Sequence, residues 1–322
     1  MYIAGINAER AGVSGFKTMV GRYSHRKRER FWEIDFLRGL CVLLMVFDHF
    51  MYCLWGVMPT INQVLGTNLF AEWQSAAIRY WEWNVRVNVR EIVICIFFLL
   101  CGISCTLTRG NFRRFIPLAL VALGISSVTY LLDETFLDGS FIIFGVIHMI
   151  SCGILMYALL DNAVSAVCAL LGEGKRARTA EKILRYIPGA VGVAFLIVLF
   201  ALYADIEIRN GAFTIVSTFP RSPDNAENIF RSIFLFVRGY NFTTVSADYF
   251  PILPYAAVIL TGGIFGRAIY HTAAKYTFMP LDGAWNRGFC FLGRHSAFIF
   301  VAHMVVIPML MGICGLIFKL FI

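Results

Sequence analysis

Seven separate stretches of this 322-residue chain are long and apolar enough to cross a lipid bilayer. A spanning helix needs about 20 largely apolar residues. Such stretches fall at about 36–58, 92–108, 115–132, 141–160, 187–204, 251–270 and 296–320. The second is short and gains length only by extending into 88–91. Residues 155–171 are apolar enough to add a turn or a short eighth segment. Residues 229–238 (IFRSIFLFVR) are too few to span and read as an interfacial or re-entrant helix. A helix satisfies its own backbone groups in lipid. The expected fold is therefore all-α, a polytopic integral membrane bundle of seven to eight helices.

Composition closes off the soluble alternative. The chain is 59% hydrophobic and 15% charged, with mean hydropathy +0.71, whereas a soluble domain holds about 45–50% apolar and about 25% charged residues. One globular core of this size cannot hide that excess. No secretory signal is visible: the first apolar run begins near Phe36, after a basic arm with Arg22, Arg26, Lys27, Arg28 and Arg30. Residues 1–30 read as a poorly ordered cytoplasmic arm and 31–322 as one transmembrane domain.

The net charge of +8 does not point to nucleic acid, because the basic residues sit in short loops between apolar runs. Nineteen Lys and Arg fall on the side of the N-terminus and eight on the other, with Arg38 inside the first helix. The positive-inside rule puts the N-terminus in the cytoplasm, and seven spans put the C-terminus outside. The loop 133–140 carries Asp133, Glu134 and Asp138 and no basic residue, as suits an outer loop. Two outer loops, 59–91 and 205–250, are long and rich in Trp, Tyr and Asn. They read either as a lid or acceptor site or as interfacial anchors through Trp73, Trp81 and Trp83. The nine cysteines include no CxxC pair and lie almost entirely in apolar runs. They read as small buried hydrophobes, without a disulfide framework or metal site.

Charged residues inside a bilayer are costly and face the bundle interior or a water-filled cavity. The first helix carries Asp35, Arg38, Asp48 and His49. Arg38 and His49 are eleven residues apart, about 20° past three full turns, so they share a face about 16 Å apart along the axis. A guanidinium at the mouth can bind phosphate bidentately, and a deeper imidazole can act as general base or acyl acceptor. Asp48 lies about 100° round the helix, free to meet a neighbouring helix, and Asp35 can pair with Arg38. His148 in FIIFGVIHMISCG lies near the depth of His49. His303 lies in IFVAHMVV, and Arg294 and His295 stand where that helix starts. Asp248 precedes a helix whose outer start is marked by Pro251 and Pro254. Each of these residues also has a structural reading: a snorkelling ion pair for Asp35 and Arg38, and packed, hydrogen-bonded imidazoles for the histidines.

The blocks RFWEIDFLRGLCVLLMVFDH, IFFLLCGIS, FGVIHMI, YFPILPYAAVILTGGIFGR and FLGRHSAFIFVAH together resemble the catalytic-domain family of heparan-α-glucosaminide N-acetyltransferase, especially its short prokaryotic members. They cover most of residues 31–310. The Arg38-x10-His49 spacing also resembles helix 1 of the wider membrane acyltransferase superfamily. The resemblance implies transfer of an acetyl group from cytosolic acetyl-CoA to an amine or hydroxyl of an extracytoplasmic glycan or glycolipid, with acetyl-CoA as donor substrate and no metal. It implies His49 as base or transient acyl carrier, with Asp48 and His148 tuning it. Arg38, Arg294 and His303 would lie toward the donor. Membrane lipids are the surrounding partner, nucleic acid is not one, and a homodimer is compatible with the pattern. The short architecture suggests a bacterial plasma membrane. The lysosomal member carries Asn at the position of His49 and its catalytic His in the loop after helix 1. Loop 59–91 has no His, so either His49 takes that role or the mechanism differs. The competing readings are a transporter or flippase using the same charges as a substrate path, a haem carrier built on His49 and His148, and a regulatory protein with a decayed site.

Overall fold

The computed structural model of the protein describes residues 30–108, 110–135, 140–172, 174–209, 212–217, 233 and 248–321. Its first span, α1 (Trp32–Tyr52), passes through a π turn (Cys53–Val57) into α2 (Met58–Leu65). The span ends at Gly66, which holds the left-handed φ of 69° that terminates helices without a Cβ penalty. The chain continues through α3 (Ala71–Glu82), α4 (Asn84–Leu107), α5 (Asn111–Thr135), α6 (Val146–Leu170), α7 (Lys175–Leu184) and α8 (Ile187–Tyr203). A hairpin of β1 (Ala204–Arg209) and β2 (Ala212–Ser217) follows, pairing Ala204 with Ser217 and Arg209 with Ala212. Then come α9 (Ile252–Phe265), a second π turn (Gly266–Tyr270), three short 3₁₀ turns, α10 (Arg287–Arg294) and α11 (Ser296–Lys319).

Seven of these helical stretches are long and apolar enough to cross a membrane. They coincide with the seven apolar runs of the sequence, and the protein is an integral membrane bundle of the all-α class, with the hairpin as its one β element among the described residues. The spans alternate in direction. One end of the bundle, the α1 end, therefore gathers the start of α1, the α4–α5 turn, α7 and α10. The far end gathers α2, α3, the hairpin and the segment before α9.

Residues 155–171 make no separate segment. They are the second half of α6, whose 25 residues run about 37 Å, past the roughly 30 Å hydrocarbon core. The expected loop 59–91 is itself helical, built from α2, α3 and the first turns of α4. The segment 229–238 and the arm before Arg30 fall outside the described residues, residue 233 excepted.

Lipid offers no hydrophobic drive for helix association, so these helices pack by close backbone approach at small residues. The inner helix is α9, which lies against α4, α6 and α8. A Cβ added at Gly102 of α4 would strike the Ile259 carbonyl, and one at Gly262 would strike that of Leu99. Gly192 of α8 meets the Ala257 carbonyl in the same way, and Gly153 of α6 meets the Ile259 side chain. Phe98, Met149, Tyr157, Ile259 and Leu260 fill the space between. By contrast, α5 leaves Leu120, Leu123, Val128 and Leu131 exposed, the face that lipid covers. At the α1 end, α1 crosses α10 at a pair of glycines: a Cβ on Gly39 would collide with the Phe289 carbonyl, and one on Gly293 with that of Asp35.

Candidate functional site

Adjacent residues of α1 turn to different neighbours. Asp48 faces the α3–α4 corner, where Arg86 grips it bidentately: Nε donates to Oδ1 at 2.7 Å and Nη2 to Oδ2 at 2.8 Å. The Tyr80 hydroxyl donates to Oδ1 at 2.9 Å. The Arg86 guanidinium lies 3.6 Å from the Trp81 ring centroid, and Trp81 stacks on Trp55 of the π turn at 5.3 Å. Trp81 thus anchors inward, while Trp73 and Trp83 stay exposed. The Arg86 side chain is only 5% exposed. Such an ion pair survives burial because the two charges bond each other bidentately and Asp48 also accepts from Tyr80. Asp48 is the clasp that fixes the α3–α4 corner to α1, and it makes no bond to His49.

His49 faces α11. Its Nδ1 lies 3.0 Å from the Met45 carbonyl, one turn back. A carbonyl only accepts, so Nδ1 carries a hydrogen, and in the corresponding tautomer the lone pair is on Nε2. That nitrogen bonds no protein group among the described residues. His303 of α11 meets the His49 ring edge-on, with centroids 4.7 Å apart and planes at 81°. His303 repeats the arrangement, with Nδ1 3.0 Å from the Ile299 carbonyl. Its Nε2 is buried and has no partner. Two imidazoles of the same tautomer are thereby held against each other by their own helices, each with a free basic nitrogen.

Asp248 completes this region. Its Oδ2 accepts the Val146 N–H at the start of α6 at 2.9 Å. Burial raises its carboxyl above the ordinary aspartate range, and the bond from the Val146 N–H opposes that rise. The segment holding Asp248 is fixed by the Phe250 N–H bonding the Phe144 carbonyl at 3.2 Å.

His148 is placed otherwise. Its Nδ1 accepts the Gly145 N–H at 3.2 Å, so its hydrogen sits on Nε2, 3.0 Å from Ser126 Oγ. Ser126 in turn donates to the Ile142 carbonyl at 2.7 Å. Both ring nitrogens are engaged in capping α6 and tying it to α5. No ring contact or hydrogen bond joins His148 to His49, and neither nitrogen is open for haem.

At the α1 end, Arg38 points to α4, where Nη2 donates to Ser104 Oγ and to the Leu100 carbonyl, the latter at 3.3 Å. Its Nε and Nη1 bond no group among the described residues. Arg294 is exposed at the end of α10, with Nε on the Cys290 carbonyl at 3.0 Å. Asp35 makes no ion pair within 4 Å with Arg38. It lies within electrostatic reach of Arg30, Arg38 and Arg294 together. Glu33 and Asp282 lie at the same end, and the guanidinium groups of Arg38 and Arg294 are what a phosphate would require there.

The structure thus brings His49 to His303 and groups Arg38 with Arg294. His303 stands at the imidazole site and not among the arginines. Sequence reasoning missed Arg86, Tyr80 and Ser104. An aspartate in an apolar helix does signal a buried counter-charge, but nothing in its spacing says which arginine. Among the described residues, no group of three or more His, Cys, Asp or Glu side chains is placed to hold a metal ion.

Comparison with curated proteins and with solved structures yields no match. The sequence profile of the family described as heparan-alpha-glucosaminide N-acetyltransferase, catalytic, matches residues 30–172 and 185–305. Those stretches contain Arg38, Asp48, His49, His148, Arg294 and His303. The chain belongs to the heparan-alpha-glucosaminide N-acetyltransferase catalytic family.

Proposed function

We propose that this membrane acetyltransferase takes its acetyl group from acetyl-CoA at the α1 end and delivers it, at His49, to an amine or hydroxyl of a glycan or glycolipid approaching from the far end. The observation that carries the reading is the open Nε2 of His49, held by the Met45 carbonyl in the tautomer that can act as base or take an acyl group. Arg38 and Arg294 supply the phosphate-binding charge, separated from His49 by about 16 Å along α1. A donor with phosphates at one end and a thioester at the other suits that separation. The 19-to-8 distribution of basic residues supports an α1 end in the cytosol, where acetyl-CoA is made, and a C-terminus outside.

Asp48 acts on this site through the α3–α4 corner. A rigid nucleophile on a packed helix, rather than on a loop, keeps the reacting atoms in place. The test is binding and turnover of radiolabelled acetyl-CoA by the protein purified in detergent, with His49→Ala and Arg38→Ala beside the wild type. Turnover vanishes in His49→Ala, while Arg38→Ala mainly weakens donor binding. Full turnover in His49→Ala sinks the assignment. A folded wild type that binds no acetyl-CoA leaves only the family's fold and favours a transporter.

A further inference from the structure

Burying a polar nitrogen without a partner is unfavourable, and buried polar groups in folded proteins are nearly always bonded. His303 breaks that rule at one atom. The residue is 6% exposed. Its Nδ1 is satisfied by the Ile299 carbonyl, yet its Nε2 faces no donor. The ring is packed between Phe300, at 5.7 Å between centroids, and His49, at 4.7 Å. An unpaired lone pair beside the nucleophile waits for a proton that the resting protein does not hold.

We propose, resting on the acetyl-CoA reading above, that His303 is a second catalytic residue: His49 carries the acetyl group, and His303 takes the proton of the acceptor that removes it. In the first step Nε2 of His49 attacks the thioester carbon, the carbon–sulfur bond breaks, and CoA leaves as thiolate. His49 is left as an acetyl-imidazolium with its hydrogen still on Nδ1. In the second step the acceptor oxygen or nitrogen attacks the acetyl carbon, the bond to Nε2 breaks, and the acceptor's proton passes to Nε2 of His303. His303 then returns the proton, which ends on the CoA thiolate, so that acetyl-CoA and acceptor become acetylated acceptor and CoA.

Positive charge moves from one ring to the other and never resides on both. That suits two imidazoles in contact, because like charges at this distance repel strongly. His148 cannot share the task, since both its nitrogens are engaged.

The test separates the two half-reactions in the full-length protein in detergent, using acetyl-CoA labelled in the acetyl group. Asn replaces His303, because its amide N–H can still bond the Ile299 carbonyl while offering no base. His303→Asn is expected to take up label and release CoA as the wild type does. Its label should discharge to glucosamine or to water about 10²–10⁴-fold more slowly, the range of general-base contributions. Hydroxylamine, which attacks acyl groups without a base, should discharge wild type and His303→Asn alike, which a merely misfolded or mispacked variant would not allow. His49→Asn should take up no label.

Discharge of His303→Asn to glucosamine or water within threefold of wild type overturns the proposal. So does a wild type that turns over acetyl-CoA without ever becoming labelled, or a wild-type label that neither nucleophile removes. A wild type that consumes no acetyl-CoA overturns the donor reading itself, and the role of His303 with it.

Discussion

The α5–α6 contact and the α1–α11 contact both set histidine in an apolar interior, and they use it in opposite ways. In the first, His148 spends both nitrogens on protein: Nδ1 accepts from Gly145 and Nε2 meets Ser126. In the second, His49 and His303 spend only Nδ1, each on its own helix. The difference lies in what the neighbouring helix offers. Ser126 of α5 provides a hydroxyl opposite His148, whereas α1 and α11 offer each other only imidazole. Residue type is the same, so it does not tell the two settings apart. The partner of the second nitrogen does.

The largest effect that sharpens this comparison concerns the neighbour of His49. Asp48→Ala should cost about 3–5 kcal/mol of stability, because it leaves the Arg86 guanidinium buried and unpaired. Thermal melting in detergent reads this, and removing Arg86 as well should recover part of the loss. A variant that melts like wild type yet loses all turnover would move Asp48 from the clasp into the chemistry. Next, Arg38→Ala should weaken acetyl-CoA binding by the value of a charge-assisted contact, about 1.5–3 kcal/mol, in a direct binding titration. Its turnover at saturating donor should stay near wild type. Gly39→Ala should destabilise by about 1–3 kcal/mol, since the new Cβ meets the Phe289 backbone carbonyl, which has no rotamer by which to move away. The smallest effect is on the His148 side. Ser126→Ala leaves the Nε2 hydrogen of His148 without its partner and should cost about 1–2 kcal/mol, with acetyl-CoA turnover within threefold of wild type. A much larger loss of turnover than of stability would break the contrast between the two histidine sites.

The spans were legible in the sequence because a bilayer imposes one length and one polarity on every segment that crosses it. All seven apolar runs became helices, and the extension of the second span into 88–91 is present in α4. Helical order outside the membrane was not legible in the same way. The α2–α3 region reads as a loop because α3 is amphipathic and polar, and its fold depends on Arg86 reaching Asp48 and on Trp81 reaching Trp55. Those are long-range pairings that no local pattern encodes. In the site, helical periodicity set Arg38 and His49 on one face of α1, but the structure turns Arg38 to α4 and His49 to α11. That His49 meets His303 rather than His148 depends on helix packing, which is set by glycine contacts such as Gly39 with α10 and Gly262 with α4. Hydropathy carries no trace of those contacts.

The most direct test of the account compares release of CoA from acetyl-CoA by the purified wild type, His49→Asn and His148→Asn at matched folded fractions. The account predicts that His49→Asn loses release by at least about 10²-fold, while His148→Asn stays within threefold of wild type. Unchanged release in His49→Asn, or loss confined to His148→Asn, would contradict it.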